Sequence, residues 1–337
     1  MKIPTPRKLN SGNWFIQLRL GGNSIPVTAP TAAECRREAG LIKAEHLAGK
    51  RASPSSVTLR QACERYIEAR ERAKRSPETI RGYDVILRNR FQRVMDKPVS
   101  SVKDWQAEFD LEAERLSPKT MNDTWAFLRS ACKSAGIPLP DVTKPSTPHI
   151  EHLFLEPDEI KVFVKAAAET KDAIPMLLYL LSCRASEVRG LDWSDIDLNK
   201  DRIYIHRSLV YDKNGKPVLR SQNKTADSTR YIPIIIPELK AALEAVEHKQ
   251  GAVSRPASNT IRRHINALCA AHKLPQVGVH GLRHSFASLC YSLGIPMLVT
   301  CKMGGWKNLN TVMGIYTHVA KKDAAAGVEA LAAFFNG

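Results

Sequence analysis

The chain of 337 residues has no Cys-x-x-Cys pair, and its seven cysteines (Cys35, Cys63, Cys132, Cys183, Cys269, Cys290 and Cys301) are odd in number and scattered. That excludes a zinc knuckle and a disulfide framework, and free thiols fit a reducing cytoplasm. No apolar run approaches a membrane span, and the opening MKIPTPRKLN lacks the hydrophobic segment of a signal peptide. The expectation is a soluble, cytoplasmic protein. There is no Gly-x-x-x-x-Gly-Lys-Ser/Thr loop and no acidic cluster suited to paired magnesium ions. Neither ATP-driven nor two-metal chemistry is indicated, and no cofactor is expected. Internal repeats and low-complexity tracts are also missing.

Basic charge is abundant. Fifty lysines and arginines face 34 acidic residues, a formal net charge of +16, and the excess is spread along the whole chain. A positive field on every segment suits a long polyanion, although a basic protein with no particular partner would read the same way.

The expected fold class is multidomain α+β. Over residues 1–51, Trp14, Ile16, Leu18 and Leu20 alternate with Phe15, Gln17 and Arg19 at strand period, turn signals punctuate three short strands, and Thr31 with Glu34 opens a helix bearing Arg36 and Arg37. Residues 55–138 read as an all-α segment of four helices. Thr58 with Gln61 forms a capping box, Ser76-Pro77 and Ser117-Pro118 mark helix starts, and Gly136 closes the last helix. Ile80, Tyr83, Leu87 and Phe91 share one helical face, which is most simply core. Residues 139–150 form a proline-rich, semi-stiff linker. Residues 151–337 read as mainly helical with a small antiparallel sheet: strands over 202–210, 216–222 and 229–236, with Asn214-Gly215 as a hairpin turn. The spacing predicts a short helix over 309–319 and a last helix over 324–335.

Within 151–337 lies an ordered set of chemically useful residues: Arg184, Lys224, His280, Arg283, Trp306 and Tyr316. Two guanidiniums can clamp non-bridging phosphate oxygens, a lysine and a histidine can move protons, and a tyrosine can attack phosphorus. Each residue also has a plainer reading. Arg184, at the end of an apolar helix, could pair with Glu187 or Asp195. Lys224 could be an exposed hairpin lysine, and Trp306 could be core. His280 and His284 are four apart, but a zinc protease motif needs Glu where Gly281 stands, so a metal site is not expected. His284 is read as a supporting residue. Tyr316 is a phenol with an ordinary pKa near about 10, so it needs a base or a cationic surround to attack at neutral pH. His280 and the arginines are expected to supply it.

These residues resemble the signature of the tyrosine recombinase (phage integrase) family. Arg184, Glu187, Leu191, Trp193, Asp195 and Ile196 match its first box, His280 and Arg283 its second, and Gly305, Trp306 and Tyr316 its nucleophile segment. Three departures exist: Leu181-Ser182 replaces a common Thr-Gly, Gly281 a frequent Asp, and Trp306 a more usual His. The resemblance is specific over residues 151–337 and weaker over 1–150. It implies a DNA breaking-rejoining fold behind an arm-type DNA-binding domain (1–51) and a core-binding helical domain (55–138). It implies a site-specific integrase of a phage or conjugative element, working through a 3′-phosphotyrosine and a four-way junction without metal or ATP. Tyr316 would be the nucleophile, Lys224 the general acid, and His280 a base or orienting group.

The implied partners are double-stranded DNA at core-type and arm-type sites, a homotetramer on that DNA, and bending and directionality proteins. The implied location is the bacterial nucleoid, without any membrane. Arg19, Arg36, Arg37, Arg81, Arg88, Lys119 and Arg129 are the expected phosphate contacts. The C-terminal helix, with Val328, Leu331, Phe334 and Phe335, would either exchange between subunits or dock in cis. The alternatives are a catalytically silent DNA-binding regulator on the same scaffold and a type IB topoisomerase-like enzyme.

Overall fold

A computed structural model describes residues 3–20, 23–47, 56–147, 153–221, 229–254, 256–306 and 308–336. The chain divides into two compact units, residues 1–148 with 212–215, and residues 149–211 with 216–337.

The first unit contains two separate hydrophobic cores. Strands β1 (Arg7–Lys8), β2 (Trp14–Leu20) and β3 (Asn23–Ala29) form an antiparallel sheet in that order, followed by α1 (Ala32–Leu47). The alternation in β2 sends Ile16, Leu18 and Leu20 inward against Val27, Ala29, Cys35 and Ala39. Thr31 caps α1 by accepting from the Glu34 amide, while its hydroxyl donates to the Glu34 carboxylate.

The second core belongs to α2 (Leu59–Arg72), α3 (Pro77–Asn89), the short α4 (Gln92–Met95), α5 (Trp105–Ala113) and α6 (Pro118–Ser134). Thr58 and Gln61 close a full capping box on α2, and Ser117 caps α6. Ser76 makes no side-chain cap hydrogen bond, so Pro77 alone marks that helix start. Ile80, Leu87 and Phe91 are buried as their spacing requires, with Tyr83 packed at their edge. At the centre is Trp125, fully buried, its ring 5.9 Å from those of Phe91 and Trp105 and 5.4 Å from that of Phe109.

Residues 137–147 carry no helix or strand, yet they are strapped down along the helices. The Thr143 amide donates to Gln106 at 2.8 Å, Asn122 donates to the Thr147 hydroxyl at 3.2 Å, and Arg129 pairs with Asp141 at 3.0 Å. The prolines exclude regular structure, and the side chains of α5 and α6 satisfy the backbone that results.

The second unit begins with α7 (Pro157–Ala168), α8 (Ala173–Leu180) and α9 (Ala185–Gly190), followed by strands β4 (Ile196–Asp197), β5 (Arg202–Ile205), β6 (Arg207–Tyr211), β7 (Pro217–Ser221) and β8 (Arg230–Pro233). The single strand expected over 202–210 is broken at His206. β5 pairs with β4 and β8, whereas among the described residues β6 pairs with β7 alone, as a separate hairpin around Asn214-Gly215. The cause is visible at the break: His206 and Arg207 turn together onto the buried Asp195 carboxylate, at 2.9 and 2.6 Å.

Helices α10 (Pro237–Glu244), α11 (Ser258–Ala271), α12 (Val279–Ser292) and α13 (Met297–Gly304) complete the main core, in which Phe163, Leu177, Tyr179, Ile203, Leu239, Ile261 and Leu282 are buried. The two C-terminal helices expected from sequence are one continuous element, α14 (Leu309–Asn336). Between them stand Ala320-Lys321-Lys322-Asp323, and the second expected helix opens on Ala324-Ala325-Ala326-Gly327. Alanine is the strongest helix former, and one glycine costs only about 1 kcal/mol, too little to end a helix.

Replacing Trp125 by alanine empties the centre of the helical core and is expected to cost about 3–5 kcal/mol. Equilibrium urea unfolding of the full chain measures it; a loss under 1 kcal/mol would mean that the aromatic cluster collapses around the gap.

Candidate active site

The apolar helix α8 stops at Leu180, and the chain turns through Ser182 at a φ of +67°. A residue with a side chain pays about 1–2 kcal/mol in this left-handed region, which accounts for the glycine usual in the resembling pattern. Ser182 is fully buried, its hydroxyl donates to the Gly304 carbonyl at 3.3 Å, and its own carbonyl accepts from Arg283. Strain here is exchanged for a tie between two distant segments.

Arg184 follows, not as the last residue of an apolar helix but as the N-cap of α9. Its amide donates to Glu187 Oε2 at 2.8 Å, and its Nη1 donates to Glu187 Oε1 at 2.6 Å. Its Nη2 donates to the Gly305 carbonyl. The ion-pair partner is therefore Glu187, since Asp195 is committed to His206 and Arg207. The Arg184 side chain keeps 36% of its surface exposed, enough to meet an incoming ligand, whereas Glu187 keeps none. Burial alone would raise the Glu187 pKa, but hydrogen bonds from Arg230, then the charges of Arg230 and Arg184, bring it down to about 2.

Arg283 projects from the second turn of α12 and is buried. Besides the Ser182 carbonyl, its guanidinium carbon stands 4.2 Å from the Trp306 ring centroid, a cation–π contact. Burial, and next the Arg184 charge, pull its pKa down to about 9. Arg184, Arg230 and Arg283 thus crowd around one carboxylate. Among the described residues, three guanidiniums face a single carboxylate, and a phosphate would relieve their mutual repulsion.

His280 occupies the first turn of α12 and is exposed, and His284 is half-buried. Between them Gly281 has a steric reason: a Cβ there would lie 2.8 Å from the Leu153 carbonyl oxygen and 2.9 Å from the Val277 Cβ. The segment before α7 crosses this helix start, held by the Leu155 amide donating to Ser285 Oγ at 2.8 Å. An aspartate at 281 would not fit.

Trp306 sits where the chain leaves α13 through Gly305, at a φ of +65°. Its ring packs with Phe286 and with the small core of Ala287, Cys301, Val312 and Ile315, which seats the first turns of α14. Tyr316 belongs to that helix and is half-buried. Its hydroxyl donates to the Ile295 carbonyl at 3.0 Å and meets the Thr300 hydroxyl at 2.7 Å; its ring lies edge-on to Tyr291, centroids 5.2 Å apart. Burial raises its pKa, and the Thr300 hydrogen bond only partly offsets this. The cationic surround expected for this phenol is absent among the described residues: its hydroxyl is bonded to Thr300 and Ile295, not to an arginine. Tyr316 and Trp306 both pack against the small core of Ala287, Cys301, Val312 and Ile315.

Lys224 lies outside the described residues. Arg230, whose side chain is only 10% exposed, was missed by the sequence reading. In the first unit, Arg19, Arg36, Arg37 and Arg81 are exposed and form no ion pair among the described residues. Arg88, Lys119 and Arg129 are paired with Asp84, Asp123 and Asp141, at 2.9, 3.2 and 3.0 Å. Val328, Phe334 and Phe335 of α14 are exposed; the Leu331 side chain is outside the described residues. All seven cysteines are buried free thiols.

A model of the phage integrase family matches residues 153–323. The chain is 26% identical over 189 residues to the tyrosine recombinase XerC-like protein of Caldanaerobacter subterraneus subsp. tengcongensis, covering 47% of this chain and 48% of that one. It is 24% identical over 188 residues to the integrase of Salmonella phage P22, covering 54% and 47%. The chain thus spans about half the length of these curated relatives. Among solved structures it is similar to the Tn1549 transposon integrase in complex with transposon right end DNA, with a TM-score of 0.65 at 19% identity, covering 82% of this chain and 100% of that one. The lambda integrase tetramer bound to a Holliday junction gives 0.55 at 18%, covering 90% and 96%. At such identities the structural likeness establishes the fold.

The Glu187 geometry carries a pH dependence. A carboxyl whose folded pKa lies near 2, against an ordinary 4.5, stabilises fully above the ordinary value and loses that contribution as pH falls toward 2. The urea midpoint of the wild-type chain is expected to drop across that window, and Glu187→Gln to flatten this part of the profile. Equal slopes would assign the acid sensitivity to other carboxylates.

Proposed function

The chain belongs to the phage integrase family, and we propose that it is a site-specific DNA recombinase that integrates and excises a mobile element. The observation that carries this reading is the cluster of three guanidiniums, Arg184, Arg230 and Arg283, around the Glu187 carboxylate, tied through Gly305 and Trp306 to the helix that bears Tyr316.

Arg184 and Arg283 clamp the non-bridging oxygens of the scissile phosphate, and the Trp306 indole N–H adds a hydrogen bond. Tyr316 leaves Thr300 and Ile295 and attacks phosphorus. The new bond joins phenolic oxygen to phosphorus, and the bond to the 5′ oxygen breaks. The phenolic proton passes to His280, or to solvent oriented by it, and Lys224 supplies the proton that the departing 5′ oxygen takes up. The cut strand ends in a 3′-phosphotyrosine, which conserves the energy of the broken bond. A 5′ hydroxyl from the partner duplex then attacks that phosphorus, breaks the tyrosyl bond and returns a proton to Tyr316. Two duplexes of two strands each require four such sites, hence a tetramer passing through a four-way junction. The solved lambda integrase tetramer bound to a Holliday junction supports that assembly.

Residues 1–51 act in this scheme as an arm-type DNA-binding domain and 55–138 as the core-binding domain. Arg19, Arg36, Arg37 and Arg81 meet phosphates with no ion-pair partner among the described residues to give up. Arg88 first releases the half-buried Asp84, while Lys119 and Arg129 release the exposed Asp123 and Asp141, an exchange worth about 1 kcal/mol or less for each exposed pair.

A nicked suicide duplex carrying the element's own junction is expected to trap a covalent protein–DNA adduct. Tyr316→Phe is expected to abolish the adduct while leaving DNA affinity within about twofold, because the lost hydroxyl faces Thr300 and Ile295. Binding without any adduct from the wild-type chain would favour a silent regulator. Relaxation of supercoils without site preference would favour a topoisomerase.

A further inference from the structure

Arg230 stands at the foot of β8, six positions after Lys224 in the chain. The β5–β8 register pairs it with Ile205, and alternation along β8 gives it the same inward face as the buried Ile232. Only 10% of its side chain is exposed. Its two terminal nitrogens donate to the two Glu187 oxygens, Nη1 to Oε1 at 3.2 Å and Nη2 to Oε2 at 3.0 Å. The opposite surface of the guanidinium lies on Gly305, where a Cβ would come within 2.6 Å of its Cζ and 2.7 Å of its Nη1. Its Nε is buried and has no hydrogen-bond partner among the described residues. An arginine this enclosed is fixed in place. It is a wall of the site, and it has no freedom to reach outward.

What the wall does follows from the charges. Glu187 sits between Arg230, which is immobile and buried, and Arg184, which is partly exposed. A phosphate entering the site competes with Glu187 for the Arg184 fork. The competition is winnable only if the carboxylate keeps a strong partner when Arg184 turns away, because an unpaired buried charge is far costlier than a paired one.

We propose that Arg230 is a positioning residue for the strand-cleavage reaction: a fixed bidentate counter-ion that holds Glu187 and so releases the Arg184 guanidinium to the scissile phosphate. The same grip anchors the end of the Lys224-bearing segment to the carboxylate that caps α9. One acidic side chain thereby ties the two halves of the site together. This inference rests on the proposed cleavage reaction, and Arg230 itself touches Glu187 and Gly305, not the substrate.

The test is single-turnover adduct formation on the nicked suicide duplex at saturating DNA, with DNA affinity and thermal unfolding measured in parallel. Arg230→Gln leaves Glu187 with a weaker partner, so Arg184 stays committed to it. The expected loss is about 100-fold in cleavage rate, the scale of losing one transition-state donor, with affinity within about threefold of wild type. The double variant Arg230→Gln/Glu187→Gln removes the competing charge as well, and at least tenfold of the lost rate is expected to return. A purely structural arginine gives no such return, since the second substitution removes a further capping and ion-pair contact. Should Arg230→Gln not fold, Arg230→Lys keeps the charge but not the fork, and an intermediate loss of about tenfold is expected.

Wild-type rate in Arg230→Gln or Arg230→Lys overturns the proposal, as does a double variant no faster than the single one. Absence of adduct from the wild-type chain overturns the cleavage reading itself, so the two failures are told apart.

Discussion

One buried carboxylate organises the candidate site. Glu187 has no exposed side-chain surface, and two arginines from different elements converge on it while a third lies close enough for its pKa to feel the cluster. Such an arrangement adds little net stability over a well-packed apolar alternative, yet breaking it from one side is severe. Its value lies in specificity of placement. The α9 cap, the inner face of β8 and the Gly304–Gly305 turn meet at that point, and each is held by a hydrogen bond or a close approach that tolerates little substitution.

The consequence for chemistry is a site assembled ahead of its ligand on one side and withheld on the other. Among the described residues, Arg184 and Arg230 are in place on the Glu187 carboxylate, with Arg283 beside them. Tyr316 is bonded to Thr300 and the Ile295 carbonyl, raised in pKa by burial, and seated on a small separate core with Trp306 at its border. On the proposed reaction, the Tyr316 hydroxyl must leave Thr300 of α13 and the Ile295 carbonyl before it attacks phosphorus.

Much of this was legible in the sequence where a local rule sufficed. Alternation in β2, the Thr58–Gln61 box, the Ser117-Pro118 helix start and the Gly136 stop all follow from backbone preferences that act over a few residues. The first box also read correctly, but most of its members serve the fold: Leu191 and Trp193 are core, and Asp195 holds the start of β6. Arg230 escaped because no spacing marks it. The available signal was its parity with Ile232, which makes it an arginine on an inward face, a charge that demands a buried partner. The break at His206 and the fusion of the last two helices depend on tertiary contacts or on small propensity differences that pattern reading does not weigh. The seating of Tyr316 was invisible, since Thr300 and Ile295 become its neighbours only when α13 and α14 pack.

The central claim is that a phenolic oxygen of α14 becomes joined to the DNA backbone. Tyr291, whose ring touches that of Tyr316, is the nearest competitor for that role. Protease digestion of the trapped adduct followed by mass spectrometry of the nucleotide-bearing peptide separates the two directly. The account predicts the modification on Tyr316, within the peptide that begins after Lys307; a nucleotide on Tyr291, or on a serine or threonine, would contradict it.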